Sequence, residues 1–153
     1  MTNDLTKLSQ DEREQLYDAI PMITVLIAGA DGEITEAERS WAKKITHIRG
    51  FNNPERIQGY YEEVETRFET RVDELIEKLP LTVDKRNDIL TEKLRALNPI
   101  LNKLGYVYHK QLYKSFLSFA RHVARADGGF LGVFAVNKKE DELIDLSMLE
   151  PAS

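Results

Sequence analysis

The sequence contains no cysteine in its 153 residues. Disulfide bonds, thiolate zinc sites and cysteine nucleophiles are therefore excluded. A chain without disulfides is typical of reducing compartments, so a cytoplasmic location is the expectation. Glycine is scarce, with 8 residues, and strand signatures are nearly absent. With so few turn residues and no strands to place, the chain is expected to be helical throughout.

Long hydrophobic runs are also lacking. The longest uncharged apolar run, "AIPMITVLIAGA", covers residues 19–30, whereas a membrane-spanning helix needs about 20 residues. We therefore interpret this run as a buried core helix, and we expect no membrane span. The first residues, "MTNDLTKLSQDE", are polar and do not resemble a signal peptide.

The composition is that of an ordinary globular domain, with 42% hydrophobic and 31% charged residues. The length fits one domain with a sizeable core. We place this domain at residues 9–149 and expect residues 1–8 and 150–153 to be flexible tails. The net charge of −5 argues against nucleic acid as the main partner, although it leaves room for a local basic patch.

Capping signals and apolar spacing predict helices from end to end. The first helix covers about residues 10–30, starts at the capping box Ser9–Glu12, and is expected to kink at Pro21. Later helices are predicted to begin near residues 35, 54, 82, 98, 106 and 137. The predicted fold is all-α, a single helical bundle of six to seven helices.

One motif occurs twice. The sequence "AGADG" at residues 28–32 matches "ARADG" at residues 124–128, and both end an apolar helix. A helix-start signal then follows each copy, Thr35 with Glu38 and Asn137 with Glu140. The second copy has six more residues between its Asp-Gly and its cap. This arrangement indicates an internal helix–Asp-Gly–helix duplication.

With these two motifs, the chain resembles the TerB-like domains of tellurite-resistance proteins, a domain type also found in a membrane-anchored co-chaperone. The resemblance covers residues 9–149. It implies a helical bundle with pseudo-twofold symmetry, in which the two acidic motifs come close together and form a metal-binding patch. It also implies a stress or metal-resistance context. The second copy departs from the pattern, since its loop is longer and apolar and two lysines precede Glu140.

The acidic residues of the two turns have two interpretations. As a local structure, Gly32 ends one helix, and Glu38 folds back on the Thr35 amide. As a ligand set, the carboxylates hold a hard divalent cation, calcium or magnesium. The candidate metal ligands are Asp31, Glu33, Glu38, Asp127 and Glu140. We expect no catalytic residues, and the alternative is a metal-dependent or acid/base enzyme that uses the same carboxylates.

Charged residues form stripes on two predicted helices. A basic stripe, interleaved with tyrosines, consists of Lys110, Lys114, Arg121 and Arg125, and it is the candidate site for an anionic partner. An acidic stripe consists of Glu55, Glu62, Glu69 and Asp73. The two stripes are expected to face each other within the chain or to be complementary surfaces of a homodimer. RNA is the less favoured partner of the basic stripe.

From these observations, the leading hypothesis is a non-catalytic TerB-like module that binds partner proteins and carries a divalent-cation site. The metal-dependent or acid/base enzyme is the first alternative. An anionic-polymer binder that uses the basic stripe is the second.

Overall fold

The computed structural model describes residues 4–30, 34–52 and 54–125 and residues 143–153, with only the backbone described at residues 51, 52 and 125. A short 3-10 helix, Asp4–Lys7, comes first. Within these residues the α-helices are α1 (Gln10–Tyr17), α2 (Ala19–Ala28), α3 (Glu36–Asn52), α4 (Glu55–Lys78), α5 (Val83–Arg95), α6 (Asn98–Leu101) and α7 (Tyr106–Arg125). The described part of the chain has no strand. The all-helical prediction is confirmed.

The first predicted helix is divided into α1 and α2 rather than kinked. The break lies at Asp18, three residues before Pro21. Proline has no backbone N–H, and its ring excludes the carbonyl four residues earlier, so it is tolerated only in the first turn of a helix. Restarting the helix at Ala19 places Pro21 in that first turn.

Both predicted capping boxes that the structure describes are formed. The Ser9 hydroxyl accepts from the Glu12 amide at 3.1 Å, and the Glu12 carboxylate accepts from the Ser9 amide at 2.9 Å. Thr35 and Glu38 make the same reciprocal pair, at 3.1 and 2.8 Å. Each box satisfies two amides that a helix start otherwise leaves unpaired.

Helix α2 is the centre of the bundle. All ten of its residues are buried, and it contacts α1, α3, α4, α5 and α7. Its one hydroxyl, on Thr24, donates to the Ile20 carbonyl at 2.9 Å, so no polar group of this side chain is left unsatisfied in the core. A helix that is apolar all round requires neighbours on every side, and this requirement fixes the arrangement of the others.

The apolar spacing of α4 and α7 corresponds to buried faces, with Tyr60, Tyr61 and Phe68 on α4 and Phe116 and Phe119 on α7 at 0% exposure. Three other large apolar residues lie instead at the edge of the bundle. Trp41 and Ile89 are each 37% exposed, and Ile48 is 40% exposed. Periodicity alone does not separate the centre of a buried helix face from its edge, because both lie within the same apolar arc.

The residues predicted to be an N-terminal tail pack on the core from residue 4 onwards. Leu5 and Leu8 are buried, and the Asp4 carboxylate accepts from the Gly105 amide at 2.9 Å. At the other end, the Glu150 amide donates to the Asn98 side chain at 2.9 Å. The predicted domain edges at Ser9 and residue 149 therefore do not mark the edges of the packed core.

The helix count and the duplication stay predictions. The second Asp-Gly turn and the helix start at Asn137–Glu140 lie outside the described residues, as does the first turn at residues 31–33. Among the described helices, none combines the length and the apolar character that crossing a bilayer requires.

Candidate functional site

The structure describes only one of the five candidate metal ligands. Glu38 is buried, with 4% of its surface exposed, and its carboxylate accepts from the Thr35 amide. Its local capping role is therefore present. Asp31, Glu33, Asp127 and Glu140 lie outside the described residues. Within the described ranges, no three His, Asp or Glu side chains are grouped closely enough to hold a metal ion.

The basic stripe lies on α7. Lys110, Lys114 and Arg121 are exposed on this helix, and the side chain of Arg125 lies outside the described residues. The Lys110 ammonium lies 5.8 Å from the centre of the Tyr106 ring, a cation–π distance. Arg121 comes within 3.9 Å of Asp145, but both side chains are more than half exposed, so this ion pair is weak.

The acidic stripe of α4 does not face the basic stripe of α7 as expected. Asp73 pairs with Arg39 on α3, and Glu69 lies 3.4 Å from Lys43 on the same helix. Helix α3 packs closely along α4, and its own cations neutralise this end of the acidic stripe. The prediction that the two stripes are mutual partners within the chain is wrong for these two residues.

A concave surface lies beside the basic stripe. This cavity, of about 340 Å³, is here called the basic pocket, and its lining residues are Lys114, Leu117, Ser118, Arg121 and His122. Successive residues of this set lie three positions apart on α7 or are neighbours, so they share one helix face. The pocket therefore presents two exposed cations and one hydroxyl around a small apolar patch.

A third cation lies behind the basic pocket. Arg49, near the end of α3, donates to Ser118 Oγ at 2.9 Å and to Ser115 Oγ at 3.0 Å. Its guanidinium carbon also lies 5.9 Å from the centre of the Phe119 ring. The Ser115 hydroxyl in turn contacts the Tyr61 hydroxyl at 2.5 Å, so the guanidinium is connected to the buried core. This network fixes a positive charge behind Ser118 and His122, two of the residues that line the pocket.

His122 is held in place from several sides. Its Nδ1 lies 2.9 Å from the Ser118 carbonyl oxygen and 3.1 Å from Arg49 Nη2. Nδ1 either donates to the carbonyl or accepts from the arginine, because one nitrogen holds a proton or a lone pair but not both. The backbone oxygen of His122 accepts from the Trp41 indole N–H at 2.9 Å.

The pocket contains a serine and a histidine, but their geometry suits binding better than catalysis. A serine nucleophile needs a base that accepts its proton. Ser118 Oγ lies 3.4 Å from His122 Nδ1, and that nitrogen is already contacted by the Ser118 carbonyl and by Arg49. Ser118 Oγ itself accepts from Arg49. These contacts do not supply the base that would activate the hydroxyl.

Sequence reasoning identified Lys114 and Arg121 but missed Arg49, Ser118 and His122. Ser118 and His122 lie four residues apart on α7, so they share one face of a largely apolar helix, and this polar pair was a readable signal. Arg49 carried no such signal, since its approach to α7 depends on how α3 packs.

Comparisons with protein-family models, with curated proteins and with solved structures found no match to this chain.

Proposed function

We propose that the protein is a non-catalytic helical binding module of the TerB-like kind, which docks an acidic segment of a partner protein in the basic pocket. The observation that carries the proposal is a concave surface lined by Lys114 and Arg121, with the anchored guanidinium of Arg49 behind its Ser118. A carboxylate in this position gains charge-assisted hydrogen bonds, which are roughly twice as strong as neutral ones.

An acidic protein segment fits better than a nucleic acid. The whole chain carries a net charge of −5, which repels a long polyanion at a distance. The pocket is also small and local, whereas nucleic-acid binding relies on many phosphate contacts spread along a surface. The apolar contribution of Leu117 suits a peptide that carries an apolar side chain beside its carboxylates.

Calorimetric titration with a short polyglutamate peptide of a few residues, at low and at high salt, tests the proposal. We expect binding that weakens with salt, since exposed charges are screened. The double variant Lys114→Gln/Arg121→Gln should weaken binding by about tenfold, or about 1.4 kcal/mol.

Lys85→Gln/Lys93→Gln is the matched control. It removes the same charge from exposed lysines on α5, away from the pocket. Equal losses in the two double variants would show that only net charge matters and would contradict a docking site. Tight binding of single-stranded RNA without binding of polyglutamate would replace the protein partner by a nucleic acid.

A further inference from the structure

The exposed side of α7 consists of apolar and cationic side chains. The exposed residues among the described side chains of this helix are Tyr106, Val107, Lys110, Lys114 and Arg121. Tyr106 is 54% exposed and Val107 is 45% exposed. The helix has no acidic residue anywhere along its length. A surface helix normally presents a mixed charged and polar face to water, so adjacent exposed apolar residues beside cations of one sign indicate a binding surface.

These five residues form one continuous surface, here called the α7 face. With 3.6 residues per turn, they fall within an arc of about 100° around the helix. Leu117, which is half-buried, lies in the same arc. The face is about 22 Å long from Tyr106 to Arg121, at about 1.5 Å per residue. The basic pocket lies at its C-terminal end, and the two most exposed apolar residues lie at the other end.

Neighbouring acidic residues neutralise little of the charge on the α7 face. Asp145 lies 3.9 Å from Arg121, and both side chains are more than half exposed. At one edge of the face, Gln111 lines a cavity together with Glu55 and Arg56, whose opposite charges offset each other. The two lysines of the face form no ion pair with a described residue. The face therefore remains electrostatically positive.

A complementary partner carries carboxylates beside aliphatic side chains. An anionic bilayer also offers negative charge, but the net charge of −5 on the chain repels an extended anionic surface. The basic pocket is also concave, with a volume of about 340 Å³, so it fits a side chain that projects into it better than a flat layer of headgroups. A protein segment therefore fits the face better than a membrane does.

The spacing of the cations favours a helical partner. Lys110, Lys114 and Arg121 are separated by 4 and 7 residues, which is about 6 and 10.5 Å along the helix axis. A second helix laid along α7 repeats its side chains at the same spacings. An extended segment presents one side every two residues, or about every 6.7 Å. It would therefore match the two lysines but be half a repeat out of register at the arginine.

We infer that the acidic segment bound by this protein is an amphipathic α-helix that packs along α7. Its carboxylates contact Lys110, Lys114 and Arg121, and its aliphatic side chains cover Tyr106 and Val107. About 16 residues of helix span the whole face. This inference rests on the function proposed above, because the basic pocket is one end of the same surface.

A synthetic acidic peptide of about 16 residues tests the inference by calorimetry. Its glutamates and leucines lie on one helical face, and the control peptide has the same composition in an order that spreads them around the helix. The amphipathic peptide should bind at least about tenfold more tightly, because it alone presents both groups to α7 together. Circular dichroism should show that it gains helix on binding. Equal affinities of the two peptides would overturn the helical partner.

Tyr106→Ser/Val107→Ser and Leu81→Ser/Ile89→Ser form the matched pair of variants. Each removes two exposed apolar side chains without a change in charge, and the second pair lies on or next to α5. The α7 double variant should weaken the amphipathic peptide about tenfold, since about half of each side chain is left to bury. It should leave short polyglutamate within about twofold. The α5 double variant should leave both within about twofold, and equal losses would overturn the inference.

Short polyglutamate separates this inference from the function on which it rests. If polyglutamate binds in the basic pocket but the amphipathic peptide binds no better than its control, the helical partner alone is wrong. If neither binds, both are wrong. Binding of phosphatidylserine vesicles without binding of the amphipathic peptide would assign the α7 face to a membrane. Self-association of the protein that Tyr106→Ser/Val107→Ser abolishes would assign it to a second copy of the chain. Either result would overturn the inference.

Discussion

Arg71 on α4 holds both carboxylate oxygens of Asp18, at 2.8 Å from Nε and 2.6 Å from Nη2. Asp18 is the residue that separates the end of α1 from the start of α2. The hydrogen bond with Asp18 raises the pKa of Arg71, and burial opposes this increase. The pair therefore joins the break between α1 and α2 to α4, the longest of the described helices.

Replacement of Asp18 should destabilise the fold. Asp18→Ala removes both hydrogen bonds and leaves a partly buried guanidinium, so we expect a loss of about 1–3 kcal/mol in the free energy of unfolding. Urea denaturation measures it. Asp73→Ala is the matched control, because Asp73 also pairs with an arginine but is 64% exposed; it should cost at most about 1 kcal/mol. Equal losses would contradict this role of Asp18.

Alkaline pH should unfold the protein through its buried tyrosines. Burial raises the pKa of Tyr61 from 10.0 to about 12, and it also raises the pKa of Tyr60 and of Tyr108. A raised pKa in the folded state stabilises the fold below pH 10, where both states are neutral. This stability is lost as the pH rises from about 10, where the unfolded chain ionises, towards about 12.

Circular dichroism and tyrosinate absorbance, followed together over that pH window, measure the alkaline transition. We expect loss of helix and ionisation of the buried tyrosines to coincide. Tyr61→Phe should reduce the loss of stability over this pH window, because this variant has one fewer buried tyrosine that must ionise. Ionisation of all six tyrosines near pH 10, without loss of helix, would contradict their burial.

Gly59→Ala should stabilise the protein. Glycine within a helix is about 1 kcal/mol less favourable than alanine, and a methyl group at this position contacts nothing within 4 Å. We expect a gain of about 0.5–1 kcal/mol by urea denaturation. Gly29→Ala is the opposite case. A Cβ there would approach the Val25 carbonyl oxygen to 2.6 Å and Arg86 to 2.7 Å, so this variant should destabilise the fold.

Two kinds of variant at the acidic turns distinguish a helix cap from a cation-binding site. Thr35→Ala should cost about 1 kcal/mol of stability, as the loss of an N-cap hydroxyl does. A cation site formed by Asp31 and Asp127 predicts that calcium or magnesium binds at or below about millimolar concentration. Calorimetry should then show that Asp31→Asn and Asp127→Asn lose this binding while Thr35→Ala retains it. Absence of a heat of binding with both calcium and magnesium would contradict the cation site.

Local signals in the sequence predicted much of the fold. Capping boxes act within three residues, so Ser9–Glu12 and Thr35–Glu38 were readable without any knowledge of packing. The extent of burial at Trp41 and Ile48 depends on where α3 crosses its neighbours, and periodicity does not contain that information. Lys114 and Arg121 were predictable as one face of one helix. Arg49 was not, because it contacts Ser118, behind the basic pocket, from a different helix.

Trp41 gives the basic pocket an internal spectroscopic reporter. It is the single tryptophan of the chain, it is 37% exposed, and its indole N–H binds the backbone of His122 in the pocket wall. Indole emission depends on polarity and hydrogen bonding, so the tryptophan fluorescence of the protein, excited apart from its six tyrosines, originates from one place. An occupant of the pocket is therefore observable without any label.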